Sequence, residues 1–94
     1  MYENESLTID ELKNSSVNKL QDNQYVFTIN GSQIFYSYKT IIAIREYDGT
    51  LTLDSDKWDY SKTTSKYRNI FLNMTTKETQ EEIKNGNIKT ADLN

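Results

Sequence analysis

The sequence predicts an α+β domain: an antiparallel sheet of four to five strands, packed by a helix at about residues 61–73, with short flanking helices. Two turn signals, Asn30-Gly31 and Asp48-Gly49, each separate segments that alternate apolar and polar residues, which is typical of β-hairpins. After Asp56 the apolar residues follow the spacing of a helix instead. The 94 residues therefore predict a single domain, residues 1–94, with a small core.

The N-terminal residues predict a loose arm, residues 1–7, followed by a short helix. Thr8 and Glu11 have the spacing of a capping box, in which each side chain accepts a hydrogen bond from the other residue's backbone amide. Residues 17–20 alternate apolar and polar and fit two interpretations. They form either the end of that helix or an edge strand closed by a turn at Asp22-Asn23.

The first hairpin follows from Asn30-Gly31 as a two-residue loop of type I′, which pairs Tyr25 with Tyr36 and Phe27 with Ile34. Because side chains alternate along a strand, one face of this hairpin carries five large apolar residues. They are Tyr25, Phe27, Ile29, Ile34 and Tyr36. The opposite face carries Val26, Thr28 and Phe35.

A second hairpin follows from Asp48-Gly49 as another two-residue loop, which pairs Arg45 with Thr52. One of its faces then carries four aliphatic side chains: Ile42, Ile44, Leu51 and Leu53. A short connection joins the two hairpins, so the sequence predicts a four-stranded antiparallel meander.

Helices are expected to cover one face of this sheet and to leave the other carrying Phe35, Tyr38 and Tyr47. An exposed face rich in tyrosine is typical of protein-docking surfaces, because large rings anchor interfaces. Self-association of the chain, or a second helix over the same face, accounts for the pattern equally well.

Four apolar residues with helical spacing predict the main helix: Tyr67, Ile70, Phe71 and Met74. Ser61 is suited to its N-cap, so the helix runs from about Lys62 to Asn73.

A second helix is predicted by the capping-box spacing of Thr75 and Glu78, and Asn85-Gly86 would end it. Residues 87–94 are expected to form an edge strand or a tail.

The chemistry available for catalysis is narrow, because the chain has no cysteine and no histidine. Asp54, Asp56 and Asp59 remain as candidates for acid–base or metal-binding roles. A solvated loop that caps the following helix is the favoured interpretation, since Trp58 and Asp59 stand where a calcium loop needs a ligand and a glycine. We therefore expect a non-enzymatic protein with no catalytic residue, no metal and no cofactor.

Residues 57–68, here called the 57–68 segment, combine cations with aromatic rings and carry a net charge of +3 within a chain of net charge −3. This mixture is typical of surfaces that stack and neutralise single-stranded nucleic acid. The candidate residues for binding nucleic acid or a protein partner are Lys57, Trp58, Tyr60, Lys62, Lys66, Arg68 and Asn69. The alternative is that the rings belong to the core and the lysines to a solvated helix face.

No apolar run is long enough to cross a membrane, and the acidic N-terminus lacks the cationic start of a signal peptide. The sequence therefore predicts a soluble cytoplasmic protein without a membrane partner.

Two stretches of the chain are distinctive: Ser37-Tyr38-x-Thr40 and Trp58-x-x-Ser61-x-Thr63-Thr64. In these stretches the chain resembles a family of small proteins encoded by phages and prophages of low-GC Gram-positive bacteria. Asn, Lys and Ile make up 28 of the 94 residues, a composition typical of AT-rich mobile genomes.

This resemblance implies an accessory phage protein that acts in the cytoplasm of the host cell. We expect it to inhibit a bacterial defence complex, a protein or a ribonucleoprotein, in the manner of an anti-CRISPR protein. One alternative is a phage protein that binds RNA or DNA through the 57–68 segment. Another is an oligomeric structural or regulatory phage protein, for which a homodimer is a possible state.

Overall fold

The computed structural model describes residues 15–94; the predicted arm (residues 1–7) and the helix predicted after Thr8 lie outside this range. Within it, six strands and two helices follow one another. The elements are β1 (Ser15–Gln21), β2 (Gln24–Ile29), β3 (Ser32–Ser37), β4 (Thr40–Arg45), β5 (Leu51–Asp54), α1 (Lys62–Leu72), α2 (Thr76–Lys84) and β6 (Ile88–Ala91).

All six strands form one sheet in the order of the sequence, β1 to β6. Strands β1 to β5 are antiparallel neighbours, whereas β6 runs parallel to β5. Parallel neighbours need a long crossover connection, which α1 and α2 provide here. The α+β class is confirmed, and the sheet is mixed and larger than the four to five strands expected, because residues 17–20 form an edge strand rather than a helix end.

The first hairpin has the predicted register, with Tyr25 opposite Tyr36 and Phe27 opposite Ile34. Asn30 and Gly31 both have positive φ, at 51° and 85°, as a type I′ turn requires. An Asn-Gly turn therefore sets the pairing of β2 with β3 as the sequence indicated.

The second hairpin differs from its prediction by one residue. The backbone amide of Glu46 donates to the carbonyl of Thr50 at 2.8 Å, and that of Gly49 donates to the carbonyl of Glu46 at 2.9 Å. The loop thus holds three residues, and Arg45 lies opposite Leu51 instead of Thr52. Gly49 has a φ of +93°, the glycine bulge that commonly closes a three-residue loop.

A shift of register in β4 also changes which side chains share a face. Phe35 lies opposite Ala43 but Tyr36 lies opposite Ile41, so Ile42 is an extra residue and a β-bulge. Ile42 and Ala43 are both fully buried, while Ile44 lies on the other face with its partner Ile34. The prediction that Ile42 and Ile44 share a face is therefore wrong.

The core lies between one face of the sheet and the two helices. The rings of Phe35 on β3 and Phe71 on α1 stack with centroids 5.7 Å apart. Around them lie the other buried apolar residues: Val26, Ile42, Ala43, Leu53, Leu72 and Ile88. Phe35 is fully buried in this core, so its prediction as an exposed docking residue is wrong.

Helix α1 has the predicted ends, with Ser61 as N-cap and Asn73 as C-cap. Its buried face differs from the expected one: Thr64, Arg68, Phe71 and Leu72 are buried, while Ile70 is 59% exposed. Helix α2 is opened by the predicted capping box of Thr75 and Glu78. It ends at Lys84, and Asn85 and Gly86 follow as predicted, with Gly86 at a φ of +81°.

Candidate binding surfaces

Arg68 is the centre of the 57–68 segment, and it is fully buried. Its Nη1 donates to the Trp58 carbonyl at 2.7 Å, the Asp59 carboxylate at 2.9 Å and the Ser65 hydroxyl at 3.3 Å. Its Nη2 donates to two more side chains, Asn69 Oδ1 and Thr76 Oγ1, each at 2.7 Å. A guanidinium presents such a fork of donors in fixed geometry. Arg68 is therefore unable to contact a phosphate, and its prediction as a binding cation is wrong.

The aromatic residues of this segment surround the same network. The guanidinium of Arg68 lies 4.9 Å from the ring centroid of Trp58, a cation–π contact. Trp58 and Tyr67 are half-buried against the core, so neither presents a free stacking face. Tyr60 alone of these three rings is classed as exposed, at 41%.

Asp59 is a partner of Arg68 rather than a free acid. Its partial burial raises the pKa of the carboxyl, but hydrogen bonds from Ser65, at 2.6 Å, and from Arg68 outweigh this. The pKa of Asp59 therefore lies below its usual value. It is held ionised as an acceptor, which is unsuited to general acid catalysis at neutral pH.

Three lysines of the segment do remain at the surface: Lys57, Lys62 and Lys66. The ammonium of Lys57 lies 5.2 Å from the Tyr60 ring, and that of Lys66 lies 5.4 Å from the Tyr67 ring. Asn69 is half-buried and holds the Arg68 guanidinium. The predicted binding residues therefore fall into two groups. Lys57, Lys62 and Lys66 are exposed, whereas Arg68 and Asn69 belong to a buried hydrogen-bond network.

Asp54, one of the candidate catalytic carboxylates, holds the end of β5 in place. Its Oδ2 accepts from the amides of Lys57 at 2.9 Å and Asp56 at 3.2 Å, and its Oδ1 accepts from Leu93 at 2.8 Å. Burial raises the pKa of Asp54, but these bonds and the side chain of Asn94 bring it below its usual value. Both carboxylate oxygens of Asp54 therefore accept hydrogen bonds from backbone amides, one from the loop after β5 and the other from the C-terminal segment.

The C-terminal segment continues this arrangement next to β4. The side-chain amide of Asn94 accepts from the Ile41 backbone amide at 2.8 Å and donates to the Ile41 carbonyl at 2.9 Å. One side chain thus satisfies both backbone groups of a residue that β5 is too short to reach. Over residues 15–94, no group of three or more metal-ligating side chains is present.

The other face of the sheet, here called the open face, carries a row of accessible apolar side chains. Strand pairing places eight apolar residues on it: Val17, Tyr25, Phe27, Ile29, Ile34, Tyr36, Ile41 and Ile44. The rings of Phe27 and Tyr36 meet edge to face at 5.6 Å, and Tyr25 lies 6.4 Å from Phe27. None of the eight is buried, and Val17 is 61% exposed.

Neither described helix packs on the open face, because both lie on the side of Phe35. Sequence reasoning had placed Tyr25, Phe27, Ile34 and Tyr36 together but assigned docking to the opposite face. The predicted register of the first hairpin correctly identified the residues that share this face. It could not show which face the helices cover, because that depends on the contacts of α1.

The two tyrosines predicted for docking, Tyr38 and Tyr47, do not share a surface. Tyr38 is 46% exposed and Tyr47 is 81% exposed. Tyr38 lies in the turn between β3 and β4, whereas Tyr47 lies in the loop between β4 and β5. These connections are at opposite ends of the sheet, so the pair forms no joint docking site.

Residues 8–86 match a family model described as "Family of unknown function (DUF8033)". The chain belongs to this family. The DUF8033 match includes the five antiparallel strands and both helices, and it ends before β6 begins at Ile88. No curated protein and no solved structure matched the chain. No helix within residues 15–94 is long and apolar enough to span a membrane.

Proposed function

We propose that this chain is a non-enzymatic binding protein that docks onto another protein through the open face of its sheet. The observation that carries this proposal is the row of half-exposed apolar side chains on that face. Soluble proteins seldom leave a large contiguous apolar patch without a partner. Two tyrosines and a phenylalanine lie near its centre, and aromatic residues are enriched at the energetic centres of interfaces.

The contacts of the carboxylates support a non-enzymatic role. Asp54 accepts three backbone amides and Asp59 accepts from Arg68. With cysteine and histidine absent from the sequence, the thiol nucleophile and the commonest general base are missing. A role in binding needs none of them.

The resemblance to phage-encoded proteins suggests the class of target. We propose a protein of a bacterial defence complex, a CRISPR effector being the first candidate. Such an inhibitor requires a surface that binds tightly enough to occupy the effector, and the open face is the surface of this chain with the chemistry to do so.

The test is a pull-down with the full-length chain from a nuclease-treated lysate of a CRISPR-bearing host, alongside a plaque assay of CRISPR interference. Ile34→Lys places a charge at the centre of the open face. Ile70→Lys is the matched control, because Ile70 is 59% exposed on α1, away from that face.

Capture of the effector and loss of interference, abolished by Ile34→Lys and kept by Ile70→Lys, is the expected result. An effector bound equally well by both variants overturns the assignment of the open face. Intact interference in the presence of the wild-type chain overturns the defence target.

Binding of nucleic acid is the second candidate, favoured by the exposed Lys57, Tyr60, Lys62 and Lys66. Few cations give weak and strongly salt-dependent binding. Recovery of RNA or DNA from untreated lysate, lost on Lys62→Glu with Lys66→Glu and unchanged by Ile34→Lys, would favour this candidate instead.

A further inference from the structure

The charges of the open face are confined to its two edges. Lys19 on β1 points the same way as Tyr25, and its ammonium lies 2.8 Å from Asp22. Lys89 on β6 pairs with Thr52 and is near enough to Asp48 to help lower the pKa of that carboxyl. Among the strand residues that the structure describes, the interior of the face holds no ionisable group except the tyrosine hydroxyls. A second copy of the same face therefore meets it without opposing like charges.

The size of the open face is sufficient for a small interface. Five antiparallel strands spaced by about 4.8 Å, with about six residues each at about 3.3 Å per residue, give a face of roughly 20 Å by 20 Å. Two such faces in contact bury on the order of 800 Å² in total, which corresponds to a weak, transient interface rather than a stable one. An interface of this size gives an association that is reversible rather than obligate.

The geometry of the face favours a flat partner. Side chains of two facing sheets interdigitate when the sheets are about 10 Å apart and their strands cross at about 30°. On the open face the rings of Tyr25, Phe27 and Tyr36 form one cluster, and the smaller side chains of Val17 and Ile34 flank Phe27 on either side, so the face has both raised and lower areas. The same face on a second copy has the matching relief, as a twofold-symmetric interface requires.

We propose that, without its target, the chain forms a reversible homodimer in which two open faces pack against each other. This inference rests on the proposed function, because it gives the same docking face a second copy of the chain as its partner. Target and second copy then compete for one surface. The free protein keeps its apolar face out of water until the target displaces the second copy.

The experiment is sedimentation equilibrium of the full-length chain over about a hundredfold range of concentration, since a dimer dissociates on dilution. We expect a monomer–dimer equilibrium in the wild-type chain and in Ile70→Lys. Ile34→Lys should weaken dimerisation by more than tenfold, because two lysines would be buried opposite an apolar face. Circular dichroism and thermal melting check that each variant is folded.

Val17→Lys keeps the test decisive if Ile34→Lys fails to fold. Val17 is 61% exposed on the edge strand, so its substitution is tolerated by the monomer while it still lies within the proposed interface. A monomeric wild-type chain at every concentration overturns the homodimer, as does a dimer that both open-face variants leave unchanged.

The two proposals fail separately in these measurements. A monomeric chain whose effector capture is lost on Ile34→Lys retains the docking function without the homodimer. A dimer that is lost on Ile34→Lys, in a chain that captures no effector, retains the homodimer and removes the defence target. Addition of purified effector should lower the amount of dimer as the complex forms.

Discussion

The 57–68 segment and the open face are both rich in aromatic rings, but they use them differently. In the segment, Trp58 stacks against a buried guanidinium that holds five acceptors. On the open face, Phe27 and Tyr36 contact each other and leave their outer surfaces accessible. A cluster of aromatic and cationic residues therefore indicates a binding surface only when the cluster stays accessible. In the 57–68 segment the chain's own acceptors already bind the guanidinium.

The largest expected effect concerns which face of the sheet is the core. Phe35→Ala should lower the free energy of unfolding by about 3–5 kcal/mol, because it leaves a cavity against Phe71. Phe27→Ala, on the adjacent strand and the open face, should cost only about 1 kcal/mol. Urea denaturation of both variants tests the difference at a protein concentration low enough to keep the chain monomeric. Equal losses would then show that the open face is also covered within the monomer.

Arg68 should be the next most sensitive position. Arg68→Ala leaves the carbonyl of Trp58 without its side-chain donor and the Asp59 carboxylate with the Ser65 hydroxyl but no counter-charge, so we expect a loss of about 3 kcal/mol. Lys66→Ala, its exposed neighbour, should change stability by less than about 0.5 kcal/mol. Chemical denaturation measures both. A small loss of stability in Arg68→Ala would contradict the assignment of Arg68 to a structural network.

The hydrogen bonds of Asp54 should make the stability of the fold depend on pH. Its pKa in the folded chain is below the ordinary value of 3.8, so the ionised carboxylate stabilises the fold above that value, and this contribution is lost as pH falls through the folded pKa. Asp54→Asn should cost about 1–3 kcal/mol at neutral pH, since a donor replaces an acceptor. Denaturation at several pH values should show the two proteins converging in acid. A constant difference would contradict this assignment.

The smallest expected effect is a gain in stability. Tyr38 and Lys39 both have positive φ, at 49° and 63°, in a two-residue turn that favours Asn-Gly. Replacing the pair by Asn-Gly should raise the free energy of unfolding by about 1 kcal/mol, because it removes the cost of the left-handed conformation. Thermal melting measures this gain. A loss would mean that the Tyr38 ring contributes more to stability than its backbone strain removes.

Local signals predicted the local structure of this chain well. The Asn30-Gly31 turn set one register, and the caps at Ser61 and Thr75 gave the starts of both helices. Asp48-Gly49 did not set the second register, because an aspartate–glycine pair fits a three-residue loop with a glycine bulge as well as a two-residue turn. The bulge at Ile42 left no recognisable signal, since it lies in a run of aliphatic residues.

The candidate site was less predictable, because it depends on contacts between distant segments. Arg68 is buried only because the loop at Trp58 and the start of α2 at Thr76 close over it. The covered face of the sheet is decided by where Phe71 docks. Side-chain alternation divides a strand into two faces, but it does not tell which of them meets the helices.

The parallel pairing of β6 has a consequence for the order in which the chain folds. Strands β1 to β5 are joined by short loops, so each pairing closes a small loop at low entropic cost. Both helices lie between β5 and β6 in the sequence, so this strand pairing joins the residues farthest apart in sequence of any in the sheet, and we expect it to form late. Ile88→Ala should therefore accelerate unfolding and leave the refolding rate nearly unchanged in stopped-flow measurements.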